Sequence, residues 1–151
     1  MRFCAFTAAC LLVLGVGSAS AAVRIDGDPG GRIDQYLSKF EALRATGERV
    51  VVDGPCNSAC TLLLGKLPRS QICVTARASL GFHAAWQPDQ YGRPVASAAW
   101  TSVLWQTYPR PVRHWIARHG GLTPRMIYLR GSELTSMYPR CSPDAASNTW
   151  H

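Results

Sequence analysis

The sequence predicts an α/β domain with a short, mostly parallel sheet and flanking helices. Three observations predict it. Residues 49–53, Arg-Val-Val-Val-Asp, are a β-branched run that suits a buried strand. Ahead of it, Ile33, Tyr36, Leu37, Phe40 and Leu43 recur at helical spacing. A short apolar helix over 58–65 follows, so strand, helix, strand and helix succeed one another in the rhythm of a parallel sheet.

In chain order, residues 1–22 read as a cleavable signal peptide. Arg2 supplies a positive start, 3–16 are almost wholly apolar, and small residues follow to Ala22. That apolar run of about 14 residues is short of the ~20 a spanning helix needs, so no stable membrane insertion is expected. Residues 23–26 alternate as a short strand, and Asp28-Pro29-Gly30-Gly31 turns the chain into the first helix. Gly47 is a natural stop for that helix. Gly54-Pro55 turns the chain after the 49–53 strand, and 71–75 and 78–82 read as two further strands. Residues 84–94, with Trp86, Pro88, Gly92 and Pro94, read as a loop. Helices are expected over 95–107 and 112–119. Thr123-Pro124 has the form of a cap with proline at the first helical position, opening a helix to about Leu129. A last extended piece is expected within 134–141. The domain is expected to span 23–144, with 145–151 a loose tail.

The chain is basic, with net charge +7, and apart from Arg2 its Lys and Arg are dispersed from Arg24 to Arg140. A nucleic-acid partner would favour a cluster, so none is expected. Of six cysteines, Cys4 and Cys10 lie in the signal peptide. Cys56, Cys60, Cys73 and Cys141 would then face an oxidising compartment, periplasmic or extracellular, where two disulfides are the default. If a helix starts at Ser58, Cys56 lies about one turn from Cys60, which favours Cys56–Cys60 with Cys73–Cys141. Cys60–Cys73 with Cys56–Cys141 remains an alternative. A zinc site from Cys56, Cys60, His114 and His119 is disfavoured, because its pairs lie far apart and export favours oxidation. No metal and no cofactor are expected.

Three features could carry chemistry. Gly30-Gly31, between a strand and a helix, lets backbone amides point at a ligand and suits an oxyanion hole; a plain turn is the bland alternative. Ser58 follows a strand and opens a helix, where a hydroxyl can face the ligand side of a sheet. The bland alternative there is a helix cap by Asn57 or Ser58. His83 ends an apolar run and could serve as a general base, or be a structural histidine.

Together, Asp28-Pro29-Gly30-Gly31, Cys56-Asn57-Ser58-Ala59-Cys60 and Leu80-Gly81-Phe82-His83 resemble the core of the Clp protease proteolytic subunit and its crotonase superfamily. That family has a Ser-Pro-Gly-Gly turn for the oxyanion, a nucleophile turn of the Ala-Ser-Met type, and a strand-end His-Gln-Pro. The order and the interval between Ser58 and His83 match. Exported bacterial Clp-like proteins with a Cys-x-Ser-Ala-Cys turn and a Gly-x-His strand end are more similar still. The resemblance implies a truncated Clp/crotonase-type core, with Ser58 as nucleophile, His83 as base, and amides of Gly31 and Ala59 at the oxyanion.

Three departures accompany it. The family's leading βα unit is not found ahead of the Gly-Gly turn, which implies an open edge or pairing with a second chain. The family's acid would fall near Gly131-Ser132, where Glu133 is the nearby carboxylate. Ala84-Ala85 replaces the family's Gln-Pro. The expected function is therefore an exported Clp-like serine hydrolase, peptidase or esterase in type, with a weakly active Ser58/His83 dyad. Its substrate would be a peptide or small acyl compound, and the chain would self-associate. The rival is an inactive, disulfide-stapled binding or interaction module on the same fold. A third reading is a cell-wall polymer binder using Trp86, Trp100, Trp105, Arg93 and Arg110.

Overall fold

A computed structural model of the chain describes residues 22–142. The expected signal peptide over 1–22, except its last residue, and the expected tail over 145–151 lie outside the described residues. The described part is a mixed α/β structure with five α-helices and three small, partly parallel sheets. None of its helices is long and apolar enough to cross a membrane.

The first sheet has the order β1-β2-β4, all parallel: β1 (Val23–Ile25), β2 (Val50–Val52) and β4 (Ile72–Val74). Helix α1 (Ile33–Thr46) crosses from β1 to β2, and Gly47 ends it with φ 70°. The second sheet has the order β3-β5-β8: β3 (Pro55–Asn57), β5 (Ser79–Phe82) and β8 (Ile127–Arg130). Asp28 adds a parallel bridge to Cys56 beside β3.

The two sheets are linked strand by strand. β1 leads to Asp28, β2 leads through Gly54 to β3, and β4 leads to β5. The lateral order in one sheet is thereby repeated in the other. Gly54 is needed at this crossing, because a Cβ there would lie 2.0 Å from the Asp26 carbonyl oxygen.

After β3, a 3₁₀ turn (Ser58–Leu62) runs into α2 (Leu63–Lys66). Leu62, Leu63, Phe40, Phe82, Leu104 and Trp115 are fully buried between the sheets and helices. Phe82 packs edge-on to Tyr108 at 5.3 Å and against Trp115 at 5.8 Å. These contacts hold α3 (Ala98–Thr107) and α4 (Arg110–Arg118) against the sheet.

Several sequence expectations are corrected. A single sheet was expected, and the strands divide among three, two of three strands and one of two. Pro55 belongs to a strand rather than a turn. The expected 84–94 loop contains strand β6 (Trp86–Pro88), which pairs as a two-stranded ribbon with β7 (Pro94–Ala96), and α3 starts only at Ala98. Pro88 and Pro94 face each other at the outermost pair, where their missing N–H groups cost the ladder little. The expected helix from Thr123 to about Leu129 is a turn followed by β8, which pairs antiparallel with β5. Over 134–141, Gly131–Met137 is helix α5, and the extended part is confined to the stretch around Arg140 that bridges Val74.

The four cysteines form Cys56–Cys60 and Cys73–Cys141, with Cα separations of 5.4 Å and 4.8 Å. Two disulfides accord with an oxidising compartment.

Candidate active site around Ser58

The strand-by-strand link between the sheets sets the site. Gly30 and Gly31 follow Asp28, Ser58 follows β3, and His83 follows β5. Three adjacent chain segments of the second sheet therefore end side by side. All four residues line one cavity of ≈ 550 Å³. Its walls include Ile33, Ala85, Pro88, Trp100 and Leu104, and Trp86 stands 58% exposed at its rim.

Ser58 has φ 54°, the only non-glycine residue with positive φ among the described residues. The left-handed region costs an L-residue about 1–2 kcal/mol, so its surroundings must hold it there. On the near side, Cys56 and Asn57 are paired in β3. On the far side the 3₁₀ turn begins at once, and the Cys56–Cys60 disulfide brackets the serine. The capping explanation fails: Asn57 at the cap position makes no side-chain capping bond, and the Ser58 hydroxyl has no hydrogen-bond partner among the described residues.

Gly30 packs directly on the serine turn. A Cβ at Gly30 would lie 2.6 Å from Ser58 Cβ and from the Asn57 carbonyl oxygen, and 3.0 Å from the Ala59 amide nitrogen. Its own φ is 84°. The Asp28 carboxylate holds this turn. Its Oδ1 accepts from the Gly30 amide at 2.8 Å and from the Tyr36 hydroxyl at 2.5 Å. Burial, then the bond to Asp28, pushes the Tyr36 phenol up to about 12, so it stays a donor. With Gly30 N–H committed to Asp28, the amides of Gly31 and Ala59 have no acceptor among the described residues. Ala59 N–H belongs to the first turn of its helix, where no backbone acceptor is available.

His83 is half-buried, and its Nδ1 lies 2.7 Å from the Ala84 carbonyl oxygen. A carbonyl only accepts, so Nδ1 carries the proton and Nε2 of the neutral ring is left as a proton acceptor. His83 and Ser58 do not hydrogen-bond to each other in this structure. Glu133 sits on exposed α5, and its Oε1 lies 4.0 Å from His119 Nε2. Thus a backbone carbonyl, not a carboxylate, accepts from His83 Nδ1.

At the cavity mouth Arg32 and Asp34 form an exposed ion pair of 2.6 Å, which lowers the Asp34 carboxyl. The ribbon is fastened to α3. Ser97 Oγ donates to Gln87 Oε1, and Ala85 N–H donates to Thr101 Oγ1 at 2.9 Å. Of the polymer-binding set, Trp86 and Trp100 line the cavity. Trp105 packs partly buried on the core, and Arg93 pairs with Asp89 at 2.7 Å. Arg110 is exposed at the start of α4. The two cysteines of the zinc alternative are joined to each other, and His119 stacks on Trp115 at 4.1 Å.

Two contributors were missed in the sequence. Strand β6 of the ribbon lines the cavity through Trp86, Gln87 and Pro88, and because all three are exposed no buried periodicity marks it in the sequence. Thr61 and Tyr108 stand behind Ser58, and no local pattern joins residues 47 positions apart. No protein-family model matches the chain, and no curated protein matches it closely enough to assign a family.

Proposed function

We propose that the protein is an exported serine hydrolase of Clp/crotonase type, acting on a peptide or another acyl compound in the periplasm or outside the cell. One observation carries the reading. A strained serine, free of any capping bond, shares a cavity with a histidine whose Nε2 is the proton acceptor. Ser58 Oγ attacks the acyl carbonyl and its proton passes to His83 Nε2. The oxyanion takes hydrogen bonds from the Gly31 and Ala59 amides. Collapse breaks the bond to the leaving group, which leaves with the proton from His83, and water then releases the acyl group by the same route. The apolar cavity walls favour an uncharged, apolar substrate group.

A second reading has its own support. His83 Nδ1 meets a backbone carbonyl rather than a carboxylate that would stabilise an imidazolium, and Ser58 and His83 share no hydrogen bond. Both favour a binding module that keeps the fold without the chemistry. A fluorophosphonate probe separates the two. The hydrolase reading expects wild-type labelling at Ser58, none in Ser58→Ala, and a rate lower by about 10²–10⁴-fold in His83→Ala. Glu133→Gln should label like wild type. A folded wild type that stays unlabelled leaves the binding module standing.

A further inference from the structure

Behind the serine turn, two buried hydroxyls run from the α3–α4 junction to the backbone of Ser58. Tyr108, between α3 and α4, is 2% exposed, and Thr61 in the 3₁₀ turn is fully buried. Tyr108 Oη lies 2.7 Å from Thr61 Oγ1, which lies 2.6 Å from the Ser58 carbonyl oxygen. Counting protons fixes the direction. The Ser58 carbonyl can only accept, so Thr61 donates its single proton there. Thr61 Oγ1 must then accept from Tyr108. Burial holds the Tyr108 phenol above its ordinary range, so it remains protonated.

A threonine bonding back one turn is common in helices. Two features set this one apart. Its oxygen also accepts a hydrogen bond donated by Tyr108 from another helix junction. The carbonyl it holds belongs to the one non-glycine residue of left-handed backbone among the described residues.

We propose that Tyr108 and Thr61 are positioning residues, forming a buried hydroxyl relay that holds Ser58 in its left-handed conformation and so presents its Oγ to the cavity. The relay makes the serine turn depend on how α3 and α4 pack against β5, through Tyr108 and Phe82. Its catalytic consequence rests on the hydrolase reading, while its backbone consequence stands on Ser58 alone.

The test uses Thr61→Val, which keeps the shape and removes the hydroxyl, Thr61→Ser, which keeps the hydroxyl, and Tyr108→Phe. Two quantities are measured on the mature, oxidised protein. The first is the pair of Ser58 Cα and Cβ NMR shifts, which report its backbone angle. The second is fluorophosphonate labelling, resolved into the affinity and the maximal inactivation rate. Thr61→Val and Tyr108→Phe should move the Ser58 shifts away from left-handed values. They should also lower the maximal rate about tenfold, the worth of roughly one hydrogen bond, with affinity unchanged. Thr61→Ser should restore both, and Tyr138→Phe, a buried tyrosine elsewhere, should change neither. Should Thr61→Val fail to fold, Tyr108→Phe makes the same test from the other end. Wild-type Ser58 shifts in a folded Thr61→Val or Tyr108→Phe would overturn the relay. An unlabelled wild type would sink the hydrolase reading only, and the shifts would still decide the relay.

Discussion

The backbone of Ser58 sets function against stability. Its φ of 54° costs about 1–2 kcal/mol relative to an extended or helical residue. Glycine pays no such penalty there but gives the unfolded chain more freedom, worth about 0.4–1 kcal/mol in the opposite sense. Relief of the left-handed backbone outweighs that added freedom. Ser58→Gly should therefore raise stability by about 0.5–1 kcal/mol, while abolishing fluorophosphonate labelling. Ser58→Ala keeps the penalty and should be close to neutral. Urea denaturation of the three proteins decides this, and a destabilised Ser58→Gly would mean that the serine conformation is not strained. Ser58, His83 and the Gly-Gly turn were legible from short motifs, because each is a local signal at a strand end. The strain at Ser58 was not, since it arises from Gly30, Thr61 and the disulfide meeting in space. Nor was the partner of His83 Nδ1. The family resemblance pointed to Glu133 by position, whereas the group within hydrogen-bond distance of Nδ1 is the Ala84 carbonyl.

Among elements, the first sheet is held by a buried carboxylate as well as by apolar packing. Asp53, at the end of β2, accepts from Arg24 on β1 and from Thr75 and Arg77 beyond β4. The Arg77 bond above all, then those from Thr75 and Arg24, holds its carboxyl far below the usual carboxylate range, against the opposing effect of burial. A carboxyl depressed in the folded state stabilises above its unfolded pKa of about 4, and that stabilisation is lost as pH falls through the folded value. The denaturation midpoint should be level above about pH 5 and fall below about pH 4. Asp53→Asn should cost about 2–3 kcal/mol at neutral pH and flatten the acid limb. If Asp53→Asn keeps the wild-type acid slope, other carboxylates carry it. The core strands of this sheet were legible because Val50, Val51 and Val52 form an unbroken β-branched run. β8 was not, because Thr123-Pro124 imitates a helix start. Its alternation, with Leu129 inward and Tyr128 and Arg130 outward, spans only four residues and emerges only through pairing with β5.

At the scale of the whole molecule, the two disulfides do different work. Cys56–Cys60 spans a sequence separation of 4 and Cys73–Cys141 one of 68. In the chain-entropy model the short loop is worth about 2 kcal/mol and the long one about 4. The long bridge also pins the chain after α5 beside β4, where Val74 N–H donates to the Pro139 carbonyl and Cys141 N–H to the Val74 carbonyl. Without it, β4 would present an open edge that invites pairing between chains. The short bridge stabilises less but encloses Ser58. The two double variants should therefore separate stability from site integrity. Cys73→Ala/Cys141→Ala should lose about 4 kcal/mol and associate more readily in light scattering, yet label at Ser58 like the parent at temperatures where it is folded. Cys56→Ala/Cys60→Ala should lose only about 2 kcal/mol, but its labelling should fall and its Ser58 Cα and Cβ shifts should move, because the bracket around the strained turn is gone. Chemical denaturation with labelling on the same samples reads both quantities. The reverse ranking, with the short bridge costing more stability and leaving the serine turn intact, would show that the turn is held by its hydrogen bonds and by Gly30 alone.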